Sequence, residues 1–232
     1  MTDELIPGKA VELQITGDGS HTLFVPGLNE HYHSVFGSIT ESRHIFLERG
    51  FKYAIKPGQT GRILEIGFGT GLNALLTCLE SASAGYQVEY SAIELYPLKQ
   101  DVYSRLNYPE LIESPDVSAT FRLLHDLPWN FKAPVSGNFS LLKLNVSIAD
   151  YLPEKEFFDL IYFDAFGPDV QPEMWTPEVF MKMAKALKTG GVLVTYSTKG
   201  TVKRNLSGAG FSLEKLPGPP GKREILRATK PR

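Results

Sequence analysis

Apolar and polar positions alternate at the start of the chain and then group into short apolar runs separated by amphipathic stretches. Residues 10–16 and 21–25 alternate around Gly17-Asp18-Gly19-Ser20, which predicts a β-hairpin. Residues 31–37 read as a loop carrying two aromatics, and 40–50 as a helix with Phe46 and Leu47 facing inward and Gly50 as its stop. Beyond the Pro57-Gly58 break the pattern predicts strands at 62–66, 88–93, 139–144, 158–163, 191–196, 211–215 and 224–227. Helices fall between them at 72–81, 97–108, 177–187 and 202–209, the third stopped by Gly190-Gly191. Such alternation implies an α/β fold: a mostly parallel, seven-stranded sheet with helices on both faces and an N-terminal hairpin extension. The expected division is an extension over 1–56, packed on the core, and a principal domain over 57–232. Ligands of such sheets bind beyond the carboxyl ends of the strands, so chemistry is sought there.

Bulk properties narrow the class. The chain has 232 residues, 42% hydrophobic and 22% charged, as expected of a globular protein. No apolar run approaches the roughly 18 residues of a membrane helix, so no membrane partner is expected. The N-terminus lacks the basic and apolar regions of a signal peptide. Cys78 is the single cysteine, which excludes an internal disulfide and fits a cytoplasmic location. Net charge is −2 but uneven. From residue 199 to the end there are nine Lys/Arg against two acids, whereas the first 198 residues carry 15 against 24. A basic end on an acidic body fits a polyanion-facing surface or, equally, a solvated tail.

Three motifs sit at predicted strand ends. Ile63-Leu-Glu-Ile-Gly67-Phe-Gly69-Thr-Gly71 places glycines in a strand-to-helix turn, where a missing Cβ lets the backbone approach a ligand. The spacing is G-x-G-x-G, and position 72 is Leu where a dinucleotide fingerprint requires its third glycine one residue later than Gly71. With Glu65 two residues upstream, this is the pattern of S-adenosylmethionine sites in Rossmann-like class I methyltransferases, in which the acid helps place the cationic methionine end. A tight structural turn is the competing explanation. Glu94 ends the second strand, 23 residues after Gly71, where a carboxylate can accept both ribose hydroxyls. The alternative is a surface glutamate. Asp164, in Phe163-Asp-Ala-Phe-Gly-Pro168, closes the fourth strand, where an acid can bind a substrate amine, orient it or take its proton. A turn cap is the alternative. His31-x-His33 has no third ligand nearby in sequence, so no metal is expected, and Cys78 reads as packed in a helix.

Several stretches together resemble a known family: Gly67-Phe-Gly-Thr-Gly-Leu-Asn73, Asp164-Ala-Phe-Gly-Pro168, Pro172-Glu-Met-Trp175, Gly221-Lys-Arg-Glu224 and Glu41-Ser-Arg-His-Ile-Phe46. The chain resembles the methyltransferase domain of the MnmC-type tRNA modification enzymes over about 32–227. That resemblance implies N-methylation of the 5-aminomethyl group of a wobble uridine in tRNA, with S-adenosyl-L-methionine as donor. Asp164 would be catalytic. Glu65, Gly67, Gly69, Gly71, Asn73 and Glu94 would bind the donor, with Asn145 or Ser147 at the adenine. Phe166, Trp175 or Tyr196 would stack on the uracil, and Lys199, Lys203, Arg204, Lys222 and Arg223 would contact phosphates. Many family members carry a flavin-dependent oxidase domain that makes the amine. This chain ends at Arg232 without one, so a stand-alone form using no flavin is expected, with another enzyme supplying the amine. Two alternatives remain. One is a small-molecule amine methyltransferase or an aminopropyltransferase on the same fold, which the basic C-terminal end disfavours. The other is a non-catalytic RNA-binding protein, which the intact Gly67, Gly69, Glu94 and Asp164 disfavour.

Overall fold

The computed structural model describes residues 11–231. Its centre is an eight-stranded sheet ordered β10-β11-β9-β8-β4-β5-β7-β6. The five inner strands, β9 (Leu187–Thr195), β8 (Phe158–Phe163), β4 (Thr60–Ile66), β5 (Gln87–Ile93) and β7 (Phe139–Leu144), run parallel. Antiparallel strands flank them: β11 (Glu224–Thr229) with β10 (Ser212–Pro217) on one side, β6 (Lys132–Ser136) on the other. Residues 63–66 and 160–163 are fully buried, because helices cover both faces of a parallel sheet. Alternate residues feed two cores. Ile63, Tyr90, Leu160 and Tyr162 join one, with helices Leu72–Ala84 and Val117–Asp126. Leu64, Ile66, Ile161 and Phe163 join the other, with helices Pro177–Ala186 and Gly200–Gly208.

The N-terminal part is a small antiparallel sheet, β1 (Glu12–Ile15), β2 (His21–Val25) and β3 (Glu30–His31), followed by one helical run over 38–54. Leu23, Ile45, Phe46 and Phe51 enter the first core, and Phe46 meets the Tyr162 ring at 5.2 Å. Gly50 does not stop this helix. A Cβ there would lie 2.9 Å from Val194 Cγ2 and 3.2 Å from Tyr162, so the glycine instead lets the helix lie close on the sheet. The middle of the run, Arg43–Phe51, is wound as a π-helix.

Four further expectations need correction. The sheet has eight strands, not seven. The extra strand, β6, lies at the edge and contains Pro134, which an edge tolerates because one side of the ladder is open. The expected 97–108 helix is two short helices, Gln100–Tyr103 and Tyr108–Leu111, the second restarted with proline in its first turn. Helix Val117–Asp126 was not anticipated, although Val117, Phe121 and Leu124 bury one face of it. Gly190-Gly191 falls inside β9, where the pairing with β8 changes register. Gly190 has φ +79°, and a Cβ on Gly191 would lie 2.9 Å from the Lys188 carbonyl oxygen.

Candidate active site

The carboxyl ends of β4, β5, β7, β8 and β9 open onto one cavity of 720 Å³. Its first half is largely backbone. Gly67 (φ +90°) and Gly69 (φ +51°) turn the chain away from β4, held by hydrogen bonds from the Gly67 and Phe68 amides to the Ile93 carbonyl. Gly67 abuts the next strand so tightly that a Cβ would lie 2.9 Å from the Asp164 carbonyl oxygen. Gly69 sits beneath the Tyr32 ring. Glu94 is half-buried at the tip of β5. One carboxylate oxygen accepts from the Gly69 amide at 3.0 Å and the other from the Tyr96 amide at 2.9 Å. Burial raises the Glu94 pKa, and these amides oppose the rise. Ser147, from the loop after β7, completes this side, its hydroxyl donating to Asp150 at 2.7 Å.

The second half holds Asp164, Phe166 and Tyr196 with residues from both ends of the chain. Asp164 Oδ2 accepts from Asn73 Nδ2 at 2.8 Å. The same Asn73 nitrogen donates to Glu65 Oε1 at 2.9 Å, and Asn73 Oδ1 accepts from the Ser42 hydroxyl. Asn73 therefore ties the glycine-loop helix to two carboxyl groups and to the N-terminal helix. Burial pushes the Asp164 carboxyl up to about 7, and the nearby Glu41 charge adds to the rise, while Asn73 and Lys222 oppose it. Glu41 is itself buried, accepting from the Ser34 amide at 2.8 Å and pairing with Lys222 at 3.2 Å. The Lys222 ammonium also lies 4.9 Å from the centre of the Tyr196 ring, and the Tyr196 hydroxyl donates to the Ala165 carbonyl.

Of the residues singled out from sequence, Gly67, Gly69, Glu94, Ser147, Asp164, Phe166, Tyr196 and Lys222 line the cavity. Others lie behind or beside it. Glu65 is wholly buried under Asn73, with Oε2 unpartnered, and burial keeps its pKa well above the carboxylate range. Gly71 caps helix Leu72–Ala84 in the left-handed region, where a Cβ would crowd His125 and Phe68. Asn145 points at the backbone, donating to the Glu94 and Leu95 carbonyls. Trp175 is a correction. Only 3% exposed, it donates its indole N–H to the Phe166 carbonyl and packs on Phe163 and Phe180, so it supports the wall without presenting a face to a base.

The basic end is less free than its count suggests. Lys199, Lys215, Lys222, Arg227 and Lys230 each pair with an acid. Lys203, Arg204 and Arg223 pair with none among the described residues and do not line the cavity. Sequence reasoning missed Tyr32, Phe36, Glu41 and Tyr96, which all line it. The two aromatics of loop 31–37 and the 41–46 stretch were visible signals, but only folding brings them to the strand ends. Among the described residues, no three His, Cys, Asp or Glu side chains form a metal-binding group.

A family model described as S-adenosyl-L-methionine-dependent methyltransferase matches residues 123–231. The tRNA 5-methylaminomethyl-2-thiouridine biosynthesis bifunctional protein MnmC of Magnetococcus marinus is 33% identical over 216 residues, covering 89% of this chain. That of Pseudomonas entomophila is 33% identical over 213 residues, covering 84%. The chain is a relative of the MnmC proteins. It spans about a third of their length, 32% and 31% in these two cases. The crystal structure of MnmC2 from Aquifex aeolicus superposes with a TM-score of 0.78 at 25% identity, covering 98% of this chain and 71% of that one. Spermidine synthase from Thermotoga maritima shares the fold, with a TM-score of 0.56 at 15% identity. No helix among the described residues is long and apolar enough to cross a membrane.

Proposed function

We propose that this protein transfers the methyl group of S-adenosyl-L-methionine to the nitrogen of a 5-aminomethyl group on a tRNA wobble uridine. The observation that carries the reading is Asp164, a half-buried carboxyl at the seam between the glycine loop and the second half of the cavity. The MnmC relatives, named for biosynthesis of 5-methylaminomethyl-2-thiouridine in tRNA, support the choice of acceptor.

The first half of the cavity fits the donor. Gly67 and Gly69 leave backbone free of side chains, and each Glu94 oxygen accepts one amide and keeps a further lone pair for a ribose hydroxyl. Ser147 lies on the side assigned to the adenine. Glu65 and Asn73 act from beneath, by fixing the glycine-loop helix and Asp164. When bound, the donor supplies an electrophilic methyl group.

The rest is done by this chain. An alkylammonium has no lone pair, so the acceptor nitrogen must first lose a proton. Asn73 holds Asp164 Oδ2 and leaves Oδ1 to meet the amine. With a pKa near 7 the carboxylate takes a proton near neutral pH, which suits a general base. Holding the neutral amine in line with the methyl group supplies the remaining rate through positioning. Phe166, Tyr196 and Tyr32 wall the site against water. The reading requires another active centre to supply the aminomethyl uridine, needs neither flavin nor metal for this step, and places the protein with tRNA in the cytoplasm.

The test is methyl transfer from labelled S-adenosyl-L-methionine to bulk tRNA from cells lacking the enzyme, followed by nucleoside mass analysis. Formation of 5-methylaminomethyl uridine is the expected result. Donor binding without transfer to tRNA would reject the tRNA acceptor in favour of a small amine.

A further inference from the structure

We infer that Phe36 is the stacking platform for the acceptor base, an assignment that rests on the tRNA reading above. Five Tyr and Phe side chains among the described residues line the cavity: Tyr32, Phe36, Tyr96, Phe166 and Tyr196. Four are committed elsewhere or largely covered. Tyr32 and Phe166 pack edge to face at 5.0 Å, Lys222 covers Tyr196, and Tyr96 stands beside Glu94 on the donor side. Phe36 is 56% exposed, and its neighbour Val35, also on the cavity wall, is 49% exposed. An apolar pair left open on the wall of a cavity that also holds the Asp164 and Glu94 carboxyls is a surface awaiting an apolar partner.

The backbone carrying Phe36 is held at several points. The Val35 carbonyl accepts from the Gly17 amide at 2.8 Å, and the Phe36 amide donates to the Ser34 hydroxyl. A Cβ on Gly17 would lie 2.9 Å from the Phe36 carbonyl oxygen. The ring lies against Gly221, where a Cβ would come within 2.1 Å of Cδ2. Gly221 lies two residues before Arg223, which pairs with no acid among the described residues, so the apolar ring and one open cation share one support. An aromatic face beside fixed positive charge is how single-stranded nucleic acid is held. The occupant is a pyrimidine ring turned out of its strand, its 5-substituent reaching towards Asp164 and its phosphate towards Arg223.

The test is steady-state methyl transfer to undermodified tRNA by the wild type and by Phe36→Ala, Phe36→Leu and Phe36→Tyr. Loss of one stacked base raises KM for tRNA by about 10–100-fold in the alanine variant. Leucine keeps the apolar contact with Gly221 but lacks a π face, so its KM should stay high, whereas tyrosine should restore a value near wild type. Affinity for S-adenosyl-L-methionine and thermal melting should be unchanged in all three. A wild-type KM in the alanine variant, or rescue by leucine as complete as by tyrosine, overturns the platform. Absence of transfer to tRNA by the wild type itself rejects the tRNA reading, and the platform falls with it.

Discussion

The two halves of the cavity are built on different principles. The half proposed for the donor is made by adjacent strand ends and by backbone, with glycines at 67 and 69 and one carboxylate fixed by two amides. The half proposed for the acceptor is assembled from residues far apart in the chain. Glu41 from the N-terminal helix meets Lys222 from the β10–β11 turn, and Ser42 reaches Asp164 through Asn73. A site for a constant ligand can be written into a short local motif, whereas a site that selects one acceptor recruits side chains from wherever the fold brings them. Gly67 is the seam, its Cα pressed on the Asp164 backbone.

The sharpest way to separate the halves is Asp164→Ala. Removing a general base costs roughly 10²–10⁴-fold in kcat, while donor affinity, measured by calorimetry, should remain within about two-fold. Near-normal turnover would end the assigned role. In the wild type, kcat should rise with pH and level off above about 7, because the proposed base, Asp164, works as its carboxylate and its pKa is raised to about 7. A flat profile across that range would contradict it.

The converse variant is Glu94→Ala. Losing charged hydrogen bonds to the ribose should weaken donor binding by about 1–3 kcal/mol, or roughly 5–150-fold in Kd, with the tRNA KM little changed at saturating donor. Unchanged donor affinity would remove Glu94 from the site. Gly67→Ala should instead damage both halves, because the new Cβ meets the Asp164 carbonyl and the backbone adopts a left-handed conformation. About 1–3 kcal/mol of stability should be lost, together with both affinities. Loss confined to one half would show that the seam does not couple them.

The smallest effect concerns stability. The folded pKa of Asp164 is raised, so the folded protein holds a proton that the unfolded chain gives up near 3.8. The charged carboxylate therefore destabilises the fold progressively as pH rises from about 4 to about 7, and fully above that. Asp164→Asn should raise Tm at pH 8 by about 2–4 °C, the shift that roughly 1 kcal/mol gives in a domain of this size. The gain should vanish below about pH 4. A gain independent of pH would assign the effect to packing.

Much of the fold was legible. The glycine turn, the apolar runs of β4, β5, β7 and β8, and the acids at their tips are contiguous signals. Strand β6 was hidden by Pro134 and its edge position, and helix Val117–Asp126 by a narrow apolar stripe at 117, 121 and 124. Within the site, Glu65 and Asp164 look alike in sequence, each at the end of an apolar strand. Only the structure buries the first beneath Asn73 and opens the second to the cavity.

The sequence by itself determined the α/β sheet, the glycine loop and the positions of Glu94 and Asp164, because strand periodicity and turn chemistry act over a few residues. Tertiary structure alone decided that Trp175 supports the wall, that Glu41 pairs with Lys222 across the chain's length, and that Phe36 stands open at the mouth. Burial and ion pairing depend on which surfaces meet, and spacing along the chain does not encode that.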